Sequence, residues 1–361
     1  MGANIVVGGF WGDEGKGLIS AWQAYQHHAL GVFRGCGGTN PEHGLFIEGN
    51  YIKTNQLPLG FIFEECLIGL GPGTAVNVEK FLSEVKQFRL SPEKVRVDPK
   101  CPIITPENVR EEIGNANMNA IGSTKSGTGI AMSHAALRIA PLAEDMDVLQ
   151  PYLDDVPALA NRLAQQGTIS IESTQGTFLS RYYGEYPNVT SVDVTAPSVM
   201  AGVGINWRSV DDVIVCVKAL PTREGIGPMG DVEEYSVEEM QALGIIEYSS
   251  IFDPQTGQRQ IRRKAKGIDY TLLKRIITLN GANKIALTFV EHYDPEVRDV
   301  VRWADLTPKV KKLVDEIETL TGVEVSLVNT GKEWSSVVSK HDSLPPITEP
   351  LVRRLKSYIL D

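Results

Sequence analysis

This sequence predicts an α/β fold, with a mostly parallel central sheet and helices on both faces. Two patterns predict it. Short β-branched runs recur along the chain: "NIVVGG", "GTISIES", "VDDVIVCVKAL", "NKIALTFV" and "GVEVSLVNTG". Between several of them lie helical stretches, Val78 to Arg89, Asp269 to Leu279 and Pro308 to Leu320, with apolar residues at three- and four-residue spacing. Strands that alternate with helices pack as a parallel sheet covered on both faces. Such sheets bind ligands beyond the carboxyl ends of their strands.

At 361 residues the chain has room for one elaborated domain or for two. No internal repeat or low-complexity linker divides it, so one domain over 1–361 is expected. The net charge of −10 and pI of about 5.2 lack the electrostatic footprint of a nucleic-acid binder, though a local basic pocket for a small anion is compatible with them. Cys36, Cys66, Cys101 and Cys216 stand singly, without metal-ligand spacing, and read as reduced thiols. With no secretory leader pattern and no long apolar span, no membrane association and a cytoplasmic location are expected.

The stretch "VVGGFWGDEGKG", Val6 to Gly17, joins a strand to a Gly-rich turn and a Lys, which suggests a phosphate cradle. A Walker A pattern would need Gly where this chain has Phe10, and Ser or Thr where it has Gly17. A bare Gly-rich turn is also a common structural device. Asp13 and Glu14 speak for chemistry, because acids inside a phosphate cradle imply a metal or a proton transfer.

Four further stretches carry candidate groups. "RGCGGTNPEHG" holds Arg34, Asn40, Glu42 and His43, and an imidazole can stabilise an oxygen that becomes negative. "IGSTKSGTG" is either a plain Ser/Gly loop or a phosphate monoester site. "ESTQGTFLSRYYGEYPNVTS" offers Gln175, Thr177 and Thr190, groups that contact nucleotides and also close turns. "TGQRQIRRKAKG" reads as a loop in which Arg259, Arg262, Arg263, Lys264 and Lys266 suit a carboxylate or phosphate, or else form a solvated face. The polar stretches Arg34 to Asn50, Asn115 to Thr128 and Asp253 to Lys266 are expected to be long loops.

Taken in order, these stretches resemble the adenylosuccinate synthetase family. "WGDEGKG" is close to a family signature, and "GGTNPEHG", "STQGT", "YPNVTS", "PTREGIGPM" and "NTG" stand where the family has related segments. The resemblance runs from Gly8 to about Gly331 and implies a GTPase-like core. It also implies a ligase that phosphorylates the 6-oxygen of a purine nucleotide and then displaces the phosphate with L-aspartate. By resemblance, Asp13 is the base that takes the N1 proton and holds Mg²⁺, with Glu42 a second metal candidate. His43 is the acid at the 6-oxygen, and Lys16 with the Gly12 to Gly17 backbone contacts the transferred phosphoryl group.

The donor-nucleotide set implied in this way is Gly12, Asp13, Glu14, Gly15, Lys16, Gly17, Glu42, His43, Gly44, Phe289, Glu291, Asn329, Thr330 and Gly331. The acceptor set is Asp13, Asn40, Ser123, Thr124, Gln175 and Thr190, with Arg138 as the Arg donated across a homodimer interface. For L-aspartate the candidates are Thr256, Gly257, Arg262 and Arg263, or Lys264, with Arg259 in reserve.

Two departures bear on the substrate. Where the family reads guanine with Thr-Lys-x-Asp, this chain has "TFVE", placing Phe289 and Glu291 there, which suits ATP or dATP as donor. "NPEHG" adds Glu42, a carboxylate able to accept from a purine 2-amino group. Those features most resemble the phage branch, the 2-aminoadenylosuccinate synthetases, which act on dGMP. The alternatives are the archaeal type, IMP with GTP, and a nucleotide-binding switch without catalysis.

Overall fold

The computed structural model describes residues 2–252, 259–341 and 348–358. Its centre is a nine-stranded sheet in the order Val337–Ser339, Glu324–Asn329, Lys284–Thr288, Val210–Lys218, Gly2–Gly8, Thr168–Glu172, Gly31–Arg34, Leu67–Leu70, Val95–Val97. Every pairing in it is parallel except the edge pairing of Glu324–Asn329 with Val337–Ser339. All five β-branched runs lie in this sheet. Separate hydrophobic clusters cover its two faces, one around Ile5, Val7, Phe33 and Val217, the other around Val6, Ile68, Ile214 and Trp334. Neighbouring residues Ile5 and Val6 point to opposite clusters, as the two-residue period of a strand requires.

The three expected helices form as Val78–Gln87, Tyr270–Asn280 and Pro308–Thr321. Their starts are fixed by side-chain caps: Asn77, Asp269 and Thr307 each accept a backbone N–H of the first turn. Gly281 and Gly322 end the last two in the left-handed conformation.

All three expected long loops are corrected in part. Within Arg34 to Asn50, His43–Ile47 pairs antiparallel with Asn50–Thr54. A Glu48-Gly49 turn, both residues at positive φ, joins the two strands. Leu45, Ile47 and Ile52 bury into the second cluster, and that burial overrides the polar composition. Within Asn115 to Thr128 lies a short helix, Ala116–Ala120, started by the Asn115 side chain. Part of the Arg-rich stretch forms short strands: Arg259–Ile261 pairs with Tyr248–Phe252, and Arg263–Lys264 pairs with Thr222–Arg223, with Arg262 between them. Backbone pairing, a non-local interaction, decides this, so local composition gave no sign of it. No helix among the described residues is long and apolar enough to cross a membrane.

Candidate active site

Several strands end on the same side of the sheet, and the segments leaving Gly8, Arg34, Glu172, Lys218 and Thr288 converge on a cavity of about 1060 Å³. In the Gly-rich loop, Glu14 is buried and faces inward. Its Oε1 accepts the backbone N–H groups of Phe10 at 3.0 Å and Gly12 at 2.8 Å, and its Oε2 pairs with Lys16 Nζ at 2.8 Å. Glu14 therefore shapes the loop and does not line the cavity, which departs from its expected place in the donor set. Burial alone would lower the Lys16 pKa, but the Glu14 carboxylate raises it, keeping the ammonium charged.

Asp13, at φ 62°, turns its side chain to the cavity. Its Oδ2 lies 2.9 Å from Arg262 Nε. Burial pushes its pKa up to about 6, against the pull of Arg262. Gly17 has a steric reason: a Cβ there would stand 2.8 Å from His43 Cβ, so the Ser or Thr of a Walker pattern would collide with the imidazole-bearing strand. Loop and hairpin are thus pressed together at Gly17.

His43 Nδ1 lies 2.5 Å from Glu172 Oε1, which also takes Arg34 Nη2 at 3.0 Å. Arg34 and Glu172 are register partners at the ends of adjacent strands. Burial would raise the Glu172 carboxyl, but His43 and Arg34 overturn it and hold it at about 2. Burial lowers the His43 pKa, so Nδ1–H of a neutral ring donates to Glu172 and leaves Nε2 as the other functional edge.

On the acceptor side, Ser123, Thr124, Gln175 and Thr190 all line the cavity. The Gln175 Oε1 is buried without a hydrogen-bond partner, and such orphans mark places where a ligand or water completes the set. The Ser123 hydroxyl and the Gly127 N–H are both held by Glu112, while Asn40 Oδ1 accepts from Thr128 Oγ1 at 3.0 Å and from Ser126. Arg138 does not line this cavity; it caps a helix C-terminus in the left-handed conformation, flanked by the exposed Leu137 and Ile139.

The donor-base candidates divide. Phe289, at φ 55°, lines the cavity with Lys218 Nζ 4.3 Å from its ring centroid. Glu291, Asn329, Thr330 and Gly331 do not line it. Asn329 donates to the Gly331 carbonyl at 2.7 Å, and Thr330 donates to the Val300 carbonyl at 2.7 Å. Burial raises the Glu291 carboxyl, whose Oε2 has no partner.

Of the cationic candidates, Arg259 and Arg262 line the cavity. Arg263 turns away to Glu234 and the Gly227 carbonyl, and the Lys264 ammonium is buried against Glu247 at 2.7 Å. These two depart from the expected aspartate contact, because Glu234 and Glu247 hold their charges away from the cavity. Thr256 and Gly257 lie outside the described residues.

No cluster of three metal-ligating side chains exists among the described residues. That fits Mg²⁺, which takes one or two carboxylates together with substrate phosphates. Both metal candidates line the cavity: Asp13 pairs with Arg262, and the Glu42 oxygens accept from Tyr51 at 2.8 Å and Lys53 at 3.0 Å.

A family model for adenylosuccinate synthetase matches residues 5–146 and 139–296. The adenylosuccinate synthetase of Archaeoglobus fulgidus is 38% identical over 340 residues, 94% of this chain and 98% of that one. The adenylosuccinate synthetase of a Pyrococcus species is 39% identical over 349 residues, 95% of this chain and 100% of that one.

The chain belongs to the adenylosuccinate synthetase family.

It is accordingly a C–N ligase joining aspartate to a purine nucleotide. Two solved structures share the fold. The fully ligated adenylosuccinate synthetase from Plasmodium falciparum superposes with a TM-score of 0.83 at 20% identity, covering 94% of this chain and 100% of that one. The cyanophage S-2L succinoaminodeoxyadenylate synthetase, bound to dGMP and dATP as an energy donor, gives 0.75 at 24% identity and 99% coverage of both chains.

Glu172 and Lys218 went unassigned in the sequence, and Arg34 was named there as a candidate without a role. One signal was present: each is a charged residue closing an otherwise apolar run, and each is at most 1% exposed. A charge that a sheet buries at its ligand-binding end is held there by partners.

Proposed function

We propose that this cavity phosphorylates the 6-oxygen of dGMP from ATP or dATP and joins L-aspartate to C6, giving 2-amino-2′-deoxy-N6-succinyladenylate. The observation that carries the ligase chemistry is the meeting of Asp13, His43, Gln175, Thr190 and Arg262 around one cavity. Asp13 takes the N1 proton as the 6-oxygen attacks the terminal phosphoryl group. His43, oriented by Glu172, stabilises charge at that oxygen, and Lys16 with the Gly12 to Gly17 backbone holds the phosphoryl group. Asn40, Thr124, Gln175 and Thr190 hold the acceptor, and Arg138 serves the site of a homodimer partner. Arg262 takes the aspartate carboxylate, whose amine then displaces phosphate from C6. Mg²⁺, when bound, neutralises phosphate charge, and Asp13 would hold it.

The adenine donor is supported by Phe289, an aromatic face on the cavity with Glu291 withdrawn from it. The 2-amino acceptor is supported by Glu42, which lines the cavity. Burial would raise its carboxyl, but Lys53 and Tyr51 hold it below the usual range, keeping it an acceptor. A second reading is IMP with GTP. The unpartnered, buried Glu291 Oε2 favours it, since a carboxylate suits the N1–H and amine of guanine, as do the archaeal relatives.

Crossing dGMP, GMP and IMP with ATP, dATP and GTP, in the presence of L-aspartate and Mg²⁺, separates the two. Succinyl product from dGMP with an adenine donor is expected. Product from IMP with GTP alone overturns the dGMP reading, and ligand binding without turnover in any pair indicates a nucleotide switch.

A further inference from the structure

Beneath the cavity one carboxylate gathers charges from both substrate sides. Glu247 Oε2 accepts from Lys218 Nζ at 2.5 Å, and Oε1 accepts from Lys264 Nζ at 2.7 Å. His292 Nδ1 stands 3.2 Å from Oε1, and Arg262 Nη1 lies 3.7 Å from Oε2. The Lys218 and Lys264 side chains are buried, so Glu247 neutralises charges that water does not reach.

The partners of Glu247 lead in two directions. Lys218 donates to Thr222 Oγ1 at 2.9 Å and stands against the Phe289 ring, and His292 lies on the short helix that Phe289 begins, its ring 5.7 Å from that of Phe289. Arg262 leads the other way, to Glu224 at 3.1 Å and to Asp13. Phe289 and Arg262 both line the cavity, whereas Glu247 does not. The chain of contacts from Phe289 through Lys218, Glu247 and Arg262 to Asp13 is therefore continuous.

We propose that Glu247 is a positioning residue that couples the donor-base side to the aspartate side, so that filling one changes affinity at the other. The physical reason is shared charge. Lys218, Lys264 and Arg262 balance Glu247, Glu224 and Asp13, and each cation that shifts toward a ligand changes what Glu247 has left for the others. A base stacking on Phe289 presses on Lys218. A substrate carboxylate on Arg262 draws the guanidinium from Asp13, leaving Glu247 to its two lysines. Coupling of this kind is reciprocal, equal in both directions at equilibrium.

This inference rests on the ligase reading, and its test is a binding measurement. L-Aspartate affinity is measured by calorimetry on the full chain, with the acceptor nucleotide and Mg²⁺ present, with and without the imido analogue of ATP and, separately, of GTP. For the unaltered protein at least one analogue is expected to change aspartate affinity by about 5-fold or more. In Glu247→Gln the same analogue is expected to change it by less than about 2-fold, the signature of lost coupling. Lys218→Met, which leaves Glu247 its contacts to Lys264 and Arg262, is expected to lose the coupling too, and it serves if Glu247→Gln does not fold.

Coupling equal in the unaltered protein and the variants overturns the proposal, as does its absence from the unaltered protein. A Glu247 that were only a fold brace would weaken both ligands and leave their ratio unchanged, which also overturns it. Failure of the ligase reading looks different: no succinyl product then forms from any nucleotide pair, whatever the coupling.

Discussion

Under the cavity floor, Arg34 and Glu172 face each other across two adjacent parallel strands, and neither side chain has measurable exposure. Beside the rim, Arg263 and Glu234 form an ion pair of the same chemistry, with 36% and 33% of their side chains exposed. The floor pair is fixed by the sheet, and its Glu172 also orients His43. The rim pair joins the short strand Arg263–Lys264 to a neighbouring segment in contact with water. Removing one partner from a buried pair strands a charge and costs about 3–5 kcal/mol, whereas an exposed pair is worth about 0–1 kcal/mol.

Between the two pairs in character stands Asp13, part-exposed and paired with Arg262, and its loss has the largest expected effect. Asp13→Ala is expected to lower turnover by at least about 100-fold, as deleting a base that also holds the metal should; near-normal rates would remove it from that role. Asp13 acts as a base only when ionised. With a pKa of about 6, kcat/KM in the unaltered protein should be level above that pH and fall about tenfold per unit below it. A profile flat to pH 5 would assign the base elsewhere.

Glu172→Gln tests the floor directly. It leaves Arg34 buried with a neutral partner, so a loss approaching about 3–5 kcal/mol in urea unfolding is expected, with turnover down by at least about tenfold. Gly17→Ser probes how tightly the floor is packed. Its Cβ would enter the space of His43, and a cost of about 1–3 kcal/mol in the same assay is expected. A neutral result would show that hairpin and loop can part there.

The smallest effect belongs to the rim. Arg263→Ala is expected to change stability by less than about 1 kcal/mol and the L-aspartate KM by less than about 3-fold. Arg262→Ala should raise that KM far more, and reversed ranks would restore Arg263 as an aspartate contact.

Much of the fold was legible in local pattern. Apolar runs marked five of the sheet strands, and cap residues fixed three helices to within one or two residues of their expected ends. The Gly-rich loop was legible as well, because its glycines and acids are contiguous. Glu247 was not, since its partners Lys218, Arg262, Lys264 and His292 come from three separate segments. Nor was the inward turn of Glu14, which depends on the N–H groups that the folded loop presents to it.

By itself the sequence determined the α/β architecture, the family and the contiguous loop that carries Asp13, Lys16 and Gly17. Periodicity, capping and short motifs are local, and local interactions are written along the chain. Only the tertiary structure decided that Glu172 and Arg34 hold His43, that Arg262 and not Arg263 faces Asp13, and that Phe289 lines the cavity while Glu291 does not. Those outcomes depend on strand register and on burial of charge, which exist only once distant segments have met.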